Sequence, residues 1–134
     1  MRIVVDTNCL LASVPPKGNY YWLYEAFRTG KFEWLISNEI LAEYLEKLSH
    51  IFSENTAFVV YSALSISPYV NFTEPFYKWQ LMHNDPDDNK FVDMAIAGNA
   101  NYLVTNDRHF DILKGIEFPR INIISLDEFK KIIG

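Results

Sequence analysis

Two apolar segments of this chain finish on an acid. Ile3-Val4-Val5-Asp6-Thr7-Asn8 stands at the start, and Tyr102-Leu103-Val104-Thr105-Asn106-Asp107 repeats the design near the other end. Both are continuous in apolar and β-branched residues, the pattern of strands buried on two faces. In an open α/β sheet the ligand crevice lies outside the carboxyl ends of the strands, so two such strands side by side would bring Asp6 and Asp107 into one pocket. Carboxylates about 4 Å apart repel by roughly 4 kcal/mol at an effective dielectric of about 20, and a divalent cation is the natural compensation. The chemistry this suggests is metal-assisted hydrolysis.

Each acid also has a plainer reading. A charge that closes an apolar strand is costly unless paired or metal-bound, which favours Asp6 as a site residue over a cap for the following turn. Thr7 and Asn8 could orient it through hydrogen bonds, and could equally be turn residues. Glu43 groups with Glu39 and Glu46 opposite the apolar stripe Ile40, Leu41, Tyr44, Leu45 and Leu48, so periodicity alone assigns it to a solvated face. Asp88 could satisfy backbone donors at a helix start, but it shares a helix face with Phe91, Val92 and Ala95 and is drawn toward the sheet. Asp85 reads as a cap and Asp87 as a solvated acid. Asp93 lies about 140° around the helix from Asp88 and is a peripheral ligand or a surface residue. Asp107 could also cap a turn at Arg108. His50 and His83 have no ligand-like partners at useful spacing, and His109, beside Arg108, could at most touch phosphate. Glycine-rich phosphate loops, paired-cysteine zinc sites and serine elbows are absent.

The elements that must position these acids alternate between strand and helix. Residues 2–6 read as a central parallel strand, 20–28 as a helix stopped by Gly30, and 32–36 as a second strand. Ser37 or Asn38 caps a helix to about residue 48. Residues 58–66 fit another helix, ended by Pro68, with a short edge strand at 69–72, and 76–82 is ambiguous. Asp85-Pro86-Asp87-Asp88 opens the clearest helix, with Asp85 at the N-cap and Pro86 at the first helical position, running to Gly98. A strand at 102–105, a helical turn near 108–113, a strand at 121–124 and a helix over 127–133 complete an α/β fold with a parallel sheet covered on both faces.

Composition sets the limits. A chain of 134 residues, 49% hydrophobic, suits one domain over residues 1–134. The lone cysteine, Cys9, excludes a disulfide framework and reads as a small buried hydrophobe in a reducing compartment. The first apolar stretch is broken at Asp6, so neither a signal peptide nor a membrane span is expected, and the location expected is cytoplasmic. A net charge of -5 looks wrong for a nucleic-acid binder. With Asp6, Glu43, Asp88, Asp93 and Asp107 set aside from the 17 acids, however, the rest balance the 12 Lys and Arg, so one metal pocket accounts for the excess.

Taken in order, Asp6-Thr7-Asn8, Ser37 through Glu43, Asp85-Pro86-Asp87-Asp88-Asn89-Lys90-Phe91 leading to Ala95, and Val104-Thr105-Asn106-Asp107 resemble a PIN domain. The branch they look most like is the toxin component of toxin-antitoxin pairs. The resemblance implies a three-layer α/β/α sandwich and an Mg²⁺- or Mn²⁺-dependent endoribonuclease. It implies that Asp6, Glu43, Asp88 and Asp107 form the catalytic and metal-binding set; the family's third acid is matched by Asp88 better than by Asp93, which stays a candidate for a further metal ligand. Thr7, Asn8 and Thr105 would support these acids, and Lys90, Arg108 and His109 would hold the RNA backbone. The partners implied are RNA, a cognate antitoxin and a second copy of the chain, the aromatic stretches 20–34 and 58–79 offering apolar surface. The rival from a different class is a binding module that keeps the fold without catalysis.

Overall fold

Strand β1 (Arg2–Val5) is the centre of the computed structural model, which describes all 134 residues, and its Ile3, Val4 and Val5 are wholly inaccessible to solvent. A strand buried on both faces needs neighbours on both edges. They are β2 (Glu33–Ile36) on one side and β4 (Tyr102–Val104) on the other, with β3 (Val70–Phe72) and β5 (Ile123–Ile124) outside them. The order β3-β2-β1-β4-β5 is parallel throughout. The chain winds outward from β1 to β3, then returns to the other edge of β1. The strand ends of β1 and β4 therefore flank the switch point at which open α/β sheets bind ligands.

The helices α1 (Thr7–Ser13), α2 (Tyr21–Arg28), α3 (Asn38–Ile51), α4 (Glu54–Ile66), α5 (Asn89–Ala97) and α6 (Leu126–Ile133) flank this sheet. Side chains start three of them. Ser37 accepts from Ile40 N at 3.2 Å at the head of α3, Ser53 accepts from Thr56 N at 3.0 Å at the head of α4, and Ser125 forms a capping box with Glu128 before α6. The Ser53 cap begins α4 four residues before the expected Phe58. Helix α1 was not anticipated: its seven residues are too few for a visible period, and it is held by burying Cys9, Leu10 and Ser13. Residues 74–82 have no regular structure, and Trp79 there packs against Tyr77 and Phe118.

The aromatic surplus divides. Phe27, Phe32 and Trp34 lie in the core, joined edge to face with Tyr44 and Phe129, so the stretch 20–34 offers little free surface. Phe58, Tyr61, Ile66, Phe72, Phe76 and Tyr77, in contrast, are exposed. No helix is long and apolar enough to cross a membrane.

Tyr44 ties α3 to the end of β1. Fully buried, it donates its hydroxyl proton to the Val5 carbonyl and accepts from Trp34 Nε1 at 3.3 Å. Burial in apolar surroundings raises its pKa well above that of an ordinary tyrosine, so it stays neutral. Tyr44→Phe removes the partner of the indole N–H inside a dry core and should cost about 1–3 kcal/mol of stability in urea denaturation. A loss below about 0.5 kcal/mol would mean that this bond does not tie the helix to the strand.

Candidate metal centre

The register Val5 to Val104 sets the two acid-bearing ends level. One residue further on, Asp6 N donates to Val104 O at 3.0 Å, and the Thr105 hydroxyl donates to Asp6 Oδ2 at 2.9 Å. The same hydroxyl accepts from Asp107 N at 3.0 Å, so Thr105 links the first acid to the backbone of the last. Asp6 occupies the N-cap position of α1, but its side chain makes no capping hydrogen bond. The carboxylate is held as a site group, 5% exposed, rather than as a cap. Asp107 has both roles: its Oδ1 accepts from His109 N at 2.9 Å, starting the 3-10 turn Arg108–Gly115, and it lines a cavity of about 260 Å³ with Asp6 and Asn106.

Asp88 closes the 3-10 turn Pro86–Asp88 that leads into α5. Its Oδ2 is buried without any hydrogen-bond partner. A buried polar atom is left unpaired only at a cost, so this oxygen points to a ligand absent from the polypeptide itself. Burial raises the Asp88 carboxyl to about 7, assisted by the charges of Asp6, Asp85 and Asp107 and by a hydrogen bond shared with Asp85. Burial likewise raises Asp6 to about 6, against the Thr105 bond that lowers it, with Asp107 and Glu43 adding repulsion. An oxygen-rich group of hard, mutually repelling donors fits a divalent cation such as Mg²⁺ or Mn²⁺.

Glu43 corrects the periodicity argument. Its side chain turns inward, one oxygen accepting from the Thr7 hydroxyl and the other lying 3.0 Å from Lys90 Nζ, and its charge acts on Asp6. The amphipathic stripe of α3 describes packing on the core. It does not register a polar pocket at the edge of the sheet, which draws a glutamate from the far side of the wheel.

Other expectations need revision. Asp93 is neither at the surface nor beside Asp6: it is 5% exposed, accepts from Trp79 N at 3.1 Å, and faces Glu39 and Lys78 across a separate cleft. The 140° turn around α5 sends it to the segment that crosses that helix. Lys90 is not a free cation at the rim, because its ammonium is engaged by Glu43. Asn8 is exposed at the mouth of the cavity with no hydrogen bond to Asp6, and Thr7 supports Glu43 instead. Arg108 and His109 are exposed as expected. Cys9 is buried, which pushes its thiol up to about 12 and leaves it unreactive.

Sequence reasoning missed Asp85. Its backbone carbonyl accepts from Asp88 N at 3.1 Å, but its side chain caps nothing. The carboxylate is 35% exposed and turns toward exposed His109, whose Nδ1 lies 3.7 Å from Asp85 and 3.3 Å from Asp107. Ligand atoms of Asp85, Asp107 and His109 all lie within 4.8 Å of one another. The one available signal was the density of acids around Pro86, more than a helix start requires.

Because Asp6 and Asp88 titrate above the ordinary aspartate value of 3.8, the metal-free folded protein binds more protons than the unfolded chain from about pH 4 to about pH 7. The stability they contribute is present below that window and is lost as pH rises through it. Melting of the metal-free protein should therefore drop between about pH 5 and about pH 8, and millimolar Mn²⁺ should restore it at the upper end. Asp6→Asn should flatten the profile. A parent whose melting temperature is constant or rises over that range would contradict the repulsion argued here.

A family model described as the PIN domain matches residues 2–109. No curated protein sequence matches the chain. Among solved structures, a chain of the VapBC2 complex of Rickettsia felis, bound to a DNA fragment from its promoter, superposes with a TM-score of 0.61 at 21% identity, covering 93% of this chain and 98% of that one. VapC20 of Mycobacterium tuberculosis, a sarcin-ricin loop cleaving toxin, gives 0.64 at 16% identity, over 86% of this chain and 97% of that one. A chain of FitAcB of Neisseria gonorrhoeae gives 0.56 at 15% identity, over 92% and 97%. These likenesses share one α/β fold with the sheet seen here, and with the acids gathered at the ends of β1 and β4 the chain belongs to the PIN domain family.

Proposed function

We propose that the protein is a divalent-metal-dependent endoribonuclease and the toxin of a toxin-antitoxin pair. The observation that carries the reading is the buried Asp88 oxygen without a partner, set among Asp6, Asp85 and Asp107 at the switch point of the sheet. Family membership and the sarcin-ricin loop cleaving toxin among the similar solved structures support it. Asp6, Asp88 and Asp107 would hold Mg²⁺ or Mn²⁺, with Glu43 beside them and Asp85 at the outer edge. The ion would supply Lewis acidity to a phosphodiester and make a water nucleophilic near neutral pH.

The chain supplies the rest. Thr105 fixes the Asp6 carboxylate through one hydrogen bond and the Asp107 backbone through another, so neither acid has to be ordered when substrate arrives. Arg108 and His109 stand exposed at the rim, where cationic groups meet the RNA phosphates. Asp93 belongs to the support of the 79–82 segment and drops out of the ligand set. The exposed apolar residues of α4 and of 72–77 provide a surface for an antitoxin or a second copy of the chain.

Single-stranded RNA incubated with the purified chain should be cut with Mn²⁺ and left intact with chelator. Loss of groups that merely support a metal ligand costs about 10–100-fold, so Asp6→Asn, which removes a ligand charge with little change of volume, should lower cleavage at least about a hundredfold while the protein stays folded. Equal cleavage by the parent and Asp6→Asn would leave a non-catalytic binding module with this fold as the better reading.

A further inference from the structure

We infer that Lys90 supplies the second positive charge of the acidic centre, so that the protein takes one divalent ion where this many carboxylates would otherwise hold two. The inference rests on the nuclease reading above and deepens it. Two-ion phosphodiesterase sites place their ions about 4 Å apart, bridged by carboxylates, and each ion needs free oxygens of its own. Here the acids form two arms that meet at Asp6. On one arm, Asp88 has a partnerless oxygen, and Asp107 and Asp85 stand within reach of each other across His109. On the other arm stands Glu43 alone, its Oε2 accepting from the Thr7 hydroxyl and its Oε1 facing the Lys90 ammonium at 3.0 Å, so its charge is already matched by a cation.

The ammonium is built into this place. The Lys90 side chain is 8% exposed, its Nζ lies 3.0 Å from Glu43 Oε1 and donates to the Asp87 carbonyl at 2.5 Å. It also sits 5.5 Å from the ring centroid of fully buried Phe91. An ion seated on Glu43 would stand against that ammonium at short range, and pushing the ammonium aside would leave it buried without a counter-charge. The ion is therefore confined to the Asp6, Asp88 and Asp107 arm. Lys90 carries a fixed positive charge beside it that needs no metal, acting as a positioning residue through Glu43.

The test is Mn²⁺ binding by the full chain, followed by isothermal titration and by the electron paramagnetic resonance signal of free Mn²⁺. The parent should bind one ion per chain. Lys90→Met, which keeps the length and removes the charge, should free a Glu43 oxygen and bind two, with a dipolar-broadened Mn²⁺ signal. Lys90→Arg should return to one. A parent that binds two ions overturns this inference and leaves the nuclease reading intact. A parent that binds none overturns both. Lys90→Met with a single ion at the parent's affinity shows that the ammonium does not exclude the second, and overturns the inference. If Lys90→Met fails to fold, Lys90→Gln, which also removes the charge, takes its place: two ions support the inference and a single ion at the parent's affinity overturns it.

Discussion

The parallel pairing of β1 with β4 is the constraint from which the site follows. It aligns Val5 with Val104, which carries Asp6 N onto the Val104 carbonyl and sets the Thr105 hydroxyl between the Asp6 carboxylate and the Asp107 backbone. A slip of one residue would turn Thr105 to the opposite face and separate the acids. What prevents the slip is the core: Val4, Val5, Leu103 and Val104 are completely buried, and each apolar side chain of this size gains about 1.5–3 kcal/mol by leaving water. Hydrophobic packing thus supplies the free energy that holds mutually repelling carboxylates together.

That repulsion is unevenly compensated. On the Glu43 side, a lysine and a threonine hydroxyl give each carboxylate oxygen a partner. On the Asp88 side the polypeptide offers the neighbouring carboxyl of Asp85 and an exposed histidine, and one buried oxygen has no hydrogen-bond donor. Buried charge without a partner is costly, and proteins keep it where a ligand is meant to complete it. The asymmetry separates a structural ion pair from a place for a cation within one pocket, although all the residues involved are acids by type.

Outside this pocket the surface has a different character. Asp93, which sequence grouping put with the other acids, instead braces the irregular segment that crosses α5. That segment begins among exposed aromatics, Phe76 wholly and Tyr77 largely so, and α4 adds Phe58 and Ile66. Large aromatic and aliphatic side chains this exposed are where a partner surface gains most by burial.

Much of the frame was legible in the residues because local rules and burial agree there. Short β-branched runs bounded by turn residues favour two-face-buried strands, Gly30 at φ 75° is where a helix can stop, and Pro86 after an acid marks a helix start. The pairing of Asp6 with Asp107 was legible for the same reason, since strand ends in a parallel sheet share one edge. The side-chain directions were not. Periodicity assigns Glu43 to water, capping rules assign Asp85 to a helix start and the resemblance sets Lys90 at the rim, because each of these describes one element at a time. Where α3, α5 and the 3-10 turn converge on the end of β1, each side chain answers instead to charges brought by other elements. Only the tertiary structure decides that Glu43 meets Lys90 and that Asp85 meets His109, because those pairs are 47 and 24 positions apart along the chain and are joined by electrostatics across the sheet's edge.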